Sequence, residues 1–177
     1  MRETKVKEMI SFIRDEGGVN LGIPDFLLWN SISTVDNFGA KILKQTLSVI
    51  FFILSSKKNI RTFKDDERII KGKKISDELI GSIKDSKFYI IVFSKNYASS
   101  SWCLDELVKI MECHRTTEHT AYTVFYDVEP SEVRKQSGAV GEAFAKYEME
   151  EADGKWRVAL KEAVDLAGWE LKKTTDG

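Results

Sequence analysis

The uninterrupted apolar run FYIIVF, at Phe88–Phe93, constrains the fold of this chain more than any other segment. A strand that is buried on one face alternates apolar and polar residues, whereas a strand that is buried on both faces does not. The run also has the length of a typical strand. It therefore predicts a central strand of a parallel sheet, with both of its faces covered.

From residue 60 onward, short apolar runs alternate with helical patterns, which is typical of a parallel α/β sheet. Strands are predicted at residues 60–63, 88–93, 121–126 and, as a short segment, 169–171. Helices are predicted at residues 76–84, 102–114, 139–150 and 155–167, with loops at residues 94–101 and 127–138. Right-handed crossovers between parallel strands then imply helices on both faces of the sheet.

The first part of the chain lacks such a pattern. Residues 1–37 show no sustained period and are predicted to be poorly ordered, although residues 25–29 (DFLLW) fit a short strand. Residues 40–55 contain enough helix formers for a helix, while residues 49–54 alone fit a strand equally well. A helix is favoured, because residues 56–59 leave no room for the crossover that two parallel strands would need.

Composition excludes several classes of protein. With 177 residues and a net charge of −1, the chain is expected to be one ordinary domain that binds no nucleic acid. Its two cysteines, Cys103 and Cys113, fall on one predicted helix and would not face each other. No disulfide is therefore expected, and the cytosol or the nucleus is the predicted compartment. The most apolar run, residues 47–54, is much shorter than the ~20 residues that cross a bilayer, so no membrane association is expected.

Three separated segments resemble parts of one known family. They are TFKDD with GKKIS at residues 62–66 and 72–76, FSKNYASSSWCLDELVKIMECH at residues 93–114, and FYDVEPSEVRKQSGAVGEAFAKYE at residues 125–148. The first is similar to the second strand of the family and the loop after it. The other two match the family pattern over nearly their whole length. Together they resemble a plant-type TIR (Toll/interleukin-1 receptor) domain, a module of innate immune signalling.

The resemblance implies the flavodoxin-like α/β fold of TIR domains, with a parallel sheet and helices on both faces. The TIR-like domain is expected at residues 38–171, with the strong match starting at residue 60, and residues 172–177 are expected to form a tail. Plant TIR domains open with a strand and loop that read approximately DVFLSFRGEDTR, and nothing in residues 1–37 reads that way. The first strand is therefore expected to be missing or degenerate, and the last helix of the family to be absent.

The resemblance also implies an activity. Catalytic TIR domains are NAD⁺ nucleosidases, which cleave the bond between nicotinamide and ribose, so NAD⁺ is the expected substrate and no cofactor is expected. The family assigns the carboxylate of this reaction to the position of Glu106, and the expected substrate-binding residues are Trp102, Asp65 and Ser100. TIR domains signal by associating with other TIR-domain proteins, which are the expected partners.

Helical spacing independently allows a site at Glu106. Trp102 and Glu106 are one helical turn apart, so their side chains share a face, and the nearby helix N-terminus favours an ionised carboxylate. A cap is expected at Ser100 or Ser101. The residues of this helix that are predicted to face the core are Leu104, Leu107, Val108 and Met111. Glu106 lies on a different face and is expected to be partly exposed. A purely structural interpretation stays open, because acidic residues are common in first turns and Trp102 would cover the core.

Two further segments bear on the site. Asp65 and Asp66 follow a predicted strand, at the edge where ligands collect in open α/β sheets, although Asp is also common in turns. The loop with Lys71, Gly72 and Lys73 resembles the TIR loop that makes subunit contacts and shields the NAD⁺ cleft. A solvated loop is the simpler interpretation of this short basic cluster.

No other group of residues predicts chemistry. His114 and His119 have no partner at metal-ligand spacing, so no metal site is predicted and both side chains are expected to face solvent. Ser99, Ser100 and Ser101 have no His and Asp partners around them, so a serine nucleophile is not expected.

A non-catalytic function is the main alternative. In the family, the opening strand and its loop help to form the nucleotide pocket, and their absence favours an interaction module or a truncated adaptor that binds complete TIR proteins. A flavodoxin-like protein unrelated to TIR domains is a more remote alternative, because a fold alone decides no function. Release of nicotinamide from NAD⁺ distinguishes the enzyme from both.

Overall fold

The computed structural model of the protein describes residues 28–29, 77–86, 88–116, 119–147, 152–166 and 168–171. The strand predicted at residues 60–63 and the helix predicted at residues 40–55 lie outside these residues. The same holds for Asp65 and for the predicted interface loop, Lys71, Gly72 and Lys73. Within the described part of the chain, no helix is long and apolar enough to cross a membrane.

A parallel sheet organises the described residues. Its strands, in spatial order, are β1 (Leu28–Trp29), β2 (Phe88–Phe93), β3 (Thr120–Tyr126) and β4 (Gly168–Leu171). Each neighbouring pair is parallel, so each connection must cross over the sheet rather than turn back as a hairpin. The predicted α/β class with an open parallel sheet is confirmed.

The FYIIVF run forms β2 and is buried as predicted. Every residue from Tyr89 to Phe93 is at most 3% exposed. Tyr89, Ile91 and Phe93 belong to the main hydrophobic core, and Ile90 and Val92 are buried as well. Successive side chains of a strand point to opposite faces, so both faces of β2 are covered.

β1 gives this central strand its second neighbour. It pairs with β2 in the register Leu28 to Phe88 and Trp29 to Tyr89, while β3 pairs with the other edge of β2. β1 falls inside the DFLLW segment that fits a short strand, and inside residues 1–37. The remainder of residues 1–37, which is predicted to be poorly ordered, lies outside the described residues.

Helices fill the connections between the strands. The helices are α1 (Asp77–Asp85), α2 (Ser101–Thr116), α3 (Pro130–Lys135), α4 (Gly138–Phe144) and α5 (Asp153–Val164), and a 3-10 helix at Tyr97–Ser99 precedes α2. α2 links β2 to β3, and α3 to α5 link β3 to β4. Both crossovers advance in the same direction along the sheet, so the right-handed rule places α2 and α5 on one face, where they pack together.

The loop predicted at residues 127–138 contains the short helix α3, which begins at Pro130. Pro130 stands at the start of α3, where the missing N–H of proline costs no hydrogen bond. The helix ends at Gln136, which has φ 51° in the left-handed region that usually takes glycine. The Gln136 side chain donates to the Arg157 carbonyl oxygen at 2.8 Å and accepts from Arg157 Nη1 at 3.0 Å. These tertiary contacts stabilise a helix end that has no glycine to mark it.

Tyr89 lies near the amino end of β2, whereas α2 begins beyond the carboxyl end of that strand. The Tyr89 side chain joins three elements. Its hydroxyl donates to the Ile83 carbonyl oxygen in α1 at 2.6 Å and lies 2.9 Å from His119 Nδ1. The hydroxyl has only one proton, so His119 Nδ1 must be the donor in the second contact. His114 Nδ1 in turn lies 2.8 Å from the His119 carbonyl oxygen. Both histidines are hydrogen-bonded and partly buried, so the expectation that they face solvent is wrong.

The stability of the chain is expected to fall in alkaline solution because of Tyr89. Burial raises the pKa of its phenol, and the neighbouring Cys113 raises it further. An unfolded tyrosine loses its proton near pH ~10, whereas the folded one keeps it, so the stabilisation is complete below that pH and declines above it. The decline should be about 1.4 kcal/mol per pH unit. Urea unfolding on both sides of pH ~10 measures it, and an equally steep decline in Tyr89→Phe would contradict the assignment.

Candidate active site

The candidate site lies where α2 begins, at the carboxyl end of β2. Ligands of open α/β sheets bind at this edge. The Ser100 hydroxyl oxygen accepts a hydrogen bond from the Cys103 N–H at 3.3 Å, which is the geometry of a helix N-cap. The cap predicted at Ser100 or Ser101 is therefore at Ser100. Both cysteines of the chain, Cys103 and Cys113, lie on α2, where both are buried and neither forms a disulfide.

Replacing Ser100 by alanine is expected to destabilise the fold by about 1 kcal/mol, because the capped N–H loses its acceptor. Ser137 precedes α4 in the same position but makes no capping hydrogen bond with its side chain. Ser137→Ala is therefore a matched control with little expected effect. Urea unfolding of both variants measures the difference in their free energies of unfolding. Equal losses of stability would show that the capping hydrogen bond of Ser100 contributes little.

Trp102 and Glu106 form a hydrogen-bonded pair on the first two turns of α2. The Trp102 indole Nε1–H donates to Glu106 Oε1 at 2.6 Å. The spacing prediction that both side chains share a helix face is confirmed. The ring of Trp102 is half-buried and packs against the main hydrophobic core, while its N–H is engaged with the carboxylate.

The expectation that Glu106 is partly exposed is wrong, because its side chain is 2% exposed. The buried face of α2 is wider than the sequence pattern indicates. It includes a column that continues from Cys103 through Glu106 to Ile110 and Cys113, all of which are buried. Burying a carboxylate is costly unless hydrogen bonds compensate it, and the Trp102 N–H supplies one of them.

Aromatic residues fix the segment that leads into α2. The Tyr97 hydroxyl donates to the Cys103 carbonyl oxygen at 3.2 Å, and the Tyr97 ring packs edge-on against Phe93 at 4.8 Å between centroids. The end of β2 and the first turn of α2 are thus held together. The sequence predicts only a loop at residues 94–101, and the aromatic character of Tyr97 next to the strand was the available signal for this contact.

Two aromatic residues from beyond β3 also contact this turn, and we call Tyr147 and Trp156 the aromatic clamp. Trp156 Nε1–H donates to Asp105 Oδ1 at 2.8 Å, and the Tyr147 hydroxyl donates to the Ser99 carbonyl oxygen at 2.8 Å. The two rings meet edge to face, with centroids 5.1 Å apart and an interplanar angle of 73°. Neither residue is predicted from the sequence as part of the site, because Trp156 is 51 positions from Asp105 and nothing local marks the pairing.

The structure therefore brings together three of the predicted site residues, Glu106, Trp102 and Ser100, at the start of α2. The fourth, Asp65, lies outside the described residues. Within the residues that the structure describes, no group of three or more His, Cys, Asp or Glu side chains is arranged to hold a metal ion. This arrangement places an oriented carboxylate beside an aromatic ring, near the N-terminus of a helix.

A cavity of about 300 Å³ lies elsewhere, in the groove between α2 and α5. Its lining residues are Val108, Glu112, Arg115, Gly154, Lys155, Val158, Ala159 and Glu162. None of the predicted site residues belongs to this set. Arg115 and Glu162 form an ion pair of 3.1 Å across the groove, so this end of the α2–α5 interface is joined by exposed charges rather than by the clamp.

Comparison with known families gives a match over most of the chain. The model of the family described as TIR domain matches residues 28–177. Among curated proteins, the chain is 53% identical over 117 residues to disease resistance protein RPV1 from Vitis rotundifolia, an alignment that covers 65% of this chain and 8% of the relative. It is 42% identical over 137 residues to TMV resistance protein N from Nicotiana glutinosa, covering 75% of this chain and 12% of the relative. The chain thus spans only a small part of the length of these relatives.

A solved structure gives the same result. The chain resembles the TIR domains in the structure of the activated Roq1 resistosome, which directly recognises the pathogen effector XopQ. The TM-score is 0.70 at 39% sequence identity, and the match covers 86% of this chain and 91% of the other. The expected flavodoxin-like class is thereby confirmed, since both the sheet of the described residues and this neighbour have it.

Proposed function

Because the chain belongs to the TIR domain family, we propose that it cleaves NAD⁺ between nicotinamide and ribose as part of plant immune signalling. The relatives RPV1 and N are named as disease resistance proteins of plants. NAD⁺ is a substrate in this proposal, and the reaction uses no resident cofactor or metal. The proposed setting is the cytosol or the nucleus.

The proposed reaction cleaves an N-glycosidic bond. The bond between ribose C1′ and the pyridinium nitrogen breaks, and its electron pair goes to that nitrogen, which leaves as neutral nicotinamide. Positive charge develops on C1′ and the ring oxygen, as in glycoside hydrolysis. A water oxygen then bonds to C1′ and releases one proton, so the products are ADP-ribose, nicotinamide and H⁺. The step requires a fixed negative charge near the ribose.

The hydrogen bond between Trp102 and Glu106 is the observation that carries this proposal. A carboxylate that is held by an N–H donor, near a helix N-terminus and away from bulk water, stays oriented toward developing charge. We assign Glu106 to stabilising the charge on the ribose and the Trp102 ring face to stacking on the leaving nicotinamide. Ser100 and Asp65 are proposed to contact the substrate beside them.

Association with other TIR domains is the second part of the proposal. The structural neighbour is an activated resistosome, and that printed description concerns Roq1. We propose that this chain likewise associates with its own copies or with other TIR proteins, through the loop with Lys71, Gly72 and Lys73, and that association promotes cleavage. The rate of cleavage per chain should then rise with protein concentration, and a constant specific rate would argue against this part.

Nicotinamide release tests the proposed activity directly. The purified chain is incubated with NAD⁺ at high protein concentration, and nicotinamide is followed by chromatography. Appearance of nicotinamide and ADP-ribose in equal amounts is expected. A carbocyclic analogue of NAD⁺, in which the ring oxygen is replaced by carbon, is the matched control, because it cannot stabilise the same positive charge. Absence of nicotinamide at every protein concentration would refute the enzymatic proposal.

A non-catalytic TIR interaction module is the second candidate function. The burial of Glu106 favours it, because a carboxylate that is 2% exposed must become accessible before it can face a ribose. A chain with this function would bind complete TIR proteins but would release no nicotinamide. Pull-down with a plant TIR domain, scored together with the nicotinamide assay, separates the two candidates.

A further inference from the structure

The aromatic clamp holds the turn that carries the proposed catalytic carboxylate. Trp156 is 4% exposed, so its hydrogen bond to Asp105 forms largely away from water. Asp105 is the residue immediately before Glu106, and both share the rigid backbone of α2. Any change in how Asp105 is anchored therefore displaces the backbone from which the Glu106 side chain extends.

We propose that Trp156 is a positioning residue for Glu106 and acts through the Asp105 carboxylate. This proposal rests on the proposed NAD⁺ cleavage for its catalytic consequence. Trp156 fixes Asp105, Asp105 fixes the first two turns of α2, and those turns set the direction of the bond between Trp102 and Glu106. Misplacing a catalytic group by about 1 Å can lower a rate by about 10²-fold, so a small shift of this turn is enough to matter.

The second arm of the clamp supports the same role. Tyr147 fixes Ser99, which directly precedes the cap residue Ser100, and its ring packs on Trp156. The segment from Ser99 to Asp105 is thus held at both ends by side chains from beyond β3. The α2–α5 interface has another link at its far end, the Arg115–Glu162 ion pair, but that pair is exposed and lies about two and a half turns from Glu106 in α2. The clamp touches residues that flank the site, whereas this ion pair does not.

Substitutions at both partners test the proposal in the full chain. Trp156→Phe keeps an aromatic ring, although a smaller one than indole, and removes the N–H. It is expected to lower kcat about 10-fold while KM changes less than about twofold. Asp105→Leu removes the acceptor and should cause the same loss, whereas Asp105→Asn keeps an oxygen acceptor and should retain most of the activity. The double variant Trp156→Phe with Asp105→Leu should be no slower than either single variant, because both remove one interaction.

Arg115→Gln is the matched control, because it breaks a link between the same two helices away from Glu106. It should leave kcat unchanged. An unchanged kcat in Trp156→Phe, losses that multiply in the double variant, or an equal loss in Arg115→Gln would each overturn the proposal. If Trp156→Phe does not fold, the comparison of Asp105→Leu with Asp105→Asn decides the question.

A measurement without substrate separates this proposal from the enzymatic one. The indole N–H of Trp102 is held by Glu106, so its exchange with deuterium, followed by NMR, reports on that bond. Trp156→Phe and Asp105→Leu should each accelerate this exchange severalfold, and Arg115→Gln should not. Unchanged exchange in all variants would overturn the positioning role, whereas accelerated exchange in a chain that releases no nicotinamide would refute only the proposed function.

Discussion

Replacing Glu106 by glutamine is expected to lower the rate of nicotinamide release about 10²–10³-fold while the chain stays folded. Glutamine keeps an oxygen that can accept the hydrogen bond from Trp102, so the packing at the start of α2 is preserved. It removes the negative charge that the proposed mechanism uses against the charge developing on the ribose. The loss should therefore appear in kcat, with KM for NAD⁺ much less affected.

Glu112→Gln is the matched control for this experiment. Glu112 lies on the same helix and pairs with Lys109 at the surface, away from Trp102 and the clamp. Its substitution should change neither activity nor stability appreciably, because exposed ion pairs contribute little. If Glu106→Gln cleaves NAD⁺ at the normal rate, Glu106 is not the stabilising carboxylate.

Glu106→Ala is a poorer test of the catalytic role than Glu106→Gln. The side chain is buried, and Glu106→Ala would leave the partly buried indole N–H of Trp102 without this acceptor. Losing one partner of a buried hydrogen bond costs about 1–3 kcal/mol. Inactivity of the alanine variant would therefore mix lost chemistry with lost structure, and the glutamine variant avoids this.

Gly168→Ala is expected to destabilise the chain by about 1–3 kcal/mol, because the added methyl group has no room beside Thr123. Gly168 is the first residue of β4 and pairs with Thr123 of β3. A Cβ atom there would overlap both the side-chain and the carbonyl oxygen of Thr123. β4 would have to move away from β3, so the midpoint of thermal unfolding should fall by about 2–4 °C for each kcal/mol.

Gly154→Ala in α5 is the control, since a Cβ added there meets nothing within 4 Å. It should stabilise the chain by about 0.4–1 kcal/mol, because alanine has less conformational freedom to lose on folding than glycine and Gly154 is helical. Adding Thr123→Ala to Gly168→Ala should recover only part of the loss, because the carbonyl oxygen of residue 123 remains in the way. Full recovery of stability in the double variant would contradict this expectation. So would an unchanged stability of Gly168→Ala alone, because either result would show that the strands separate at little cost.

The sequence predicted those parts of the molecule that local patterns determine. The FYIIVF run forms β2 with the predicted bounds, because burial on both faces imposes an apolar residue at every position. α2 was predicted to within a few residues, since its cap at Ser100 and its apolar period are both local. The neighbouring placement of Trp102 and Glu106 followed from helical spacing alone.

Long-range contacts explain what the sequence did not predict. The burial of Glu106 depends on what packs against α2, and no periodicity within α2 reports that. The end of α3 at Gln136 depends on Arg157, which is 21 residues away. The clamp likewise joins residues separated by about fifty positions, so a single sequence contains no sign of the pairing.

The parallel sheet has a consequence for how the chain folds. β2 can pair with β3 only after α2 and Thr120–Tyr126 have been synthesised, because no parallel pair can form as a hairpin. Until then, FYIIVF is an uncharged segment of high β-propensity whose edge toward β3 is open, which is the signature of an aggregation-prone segment. Yield of soluble protein should therefore depend on synthesis temperature and on chaperones that cover exposed apolar strands. The six residues that form the buried strand β2 in the finished sheet are therefore prone to aggregation during synthesis.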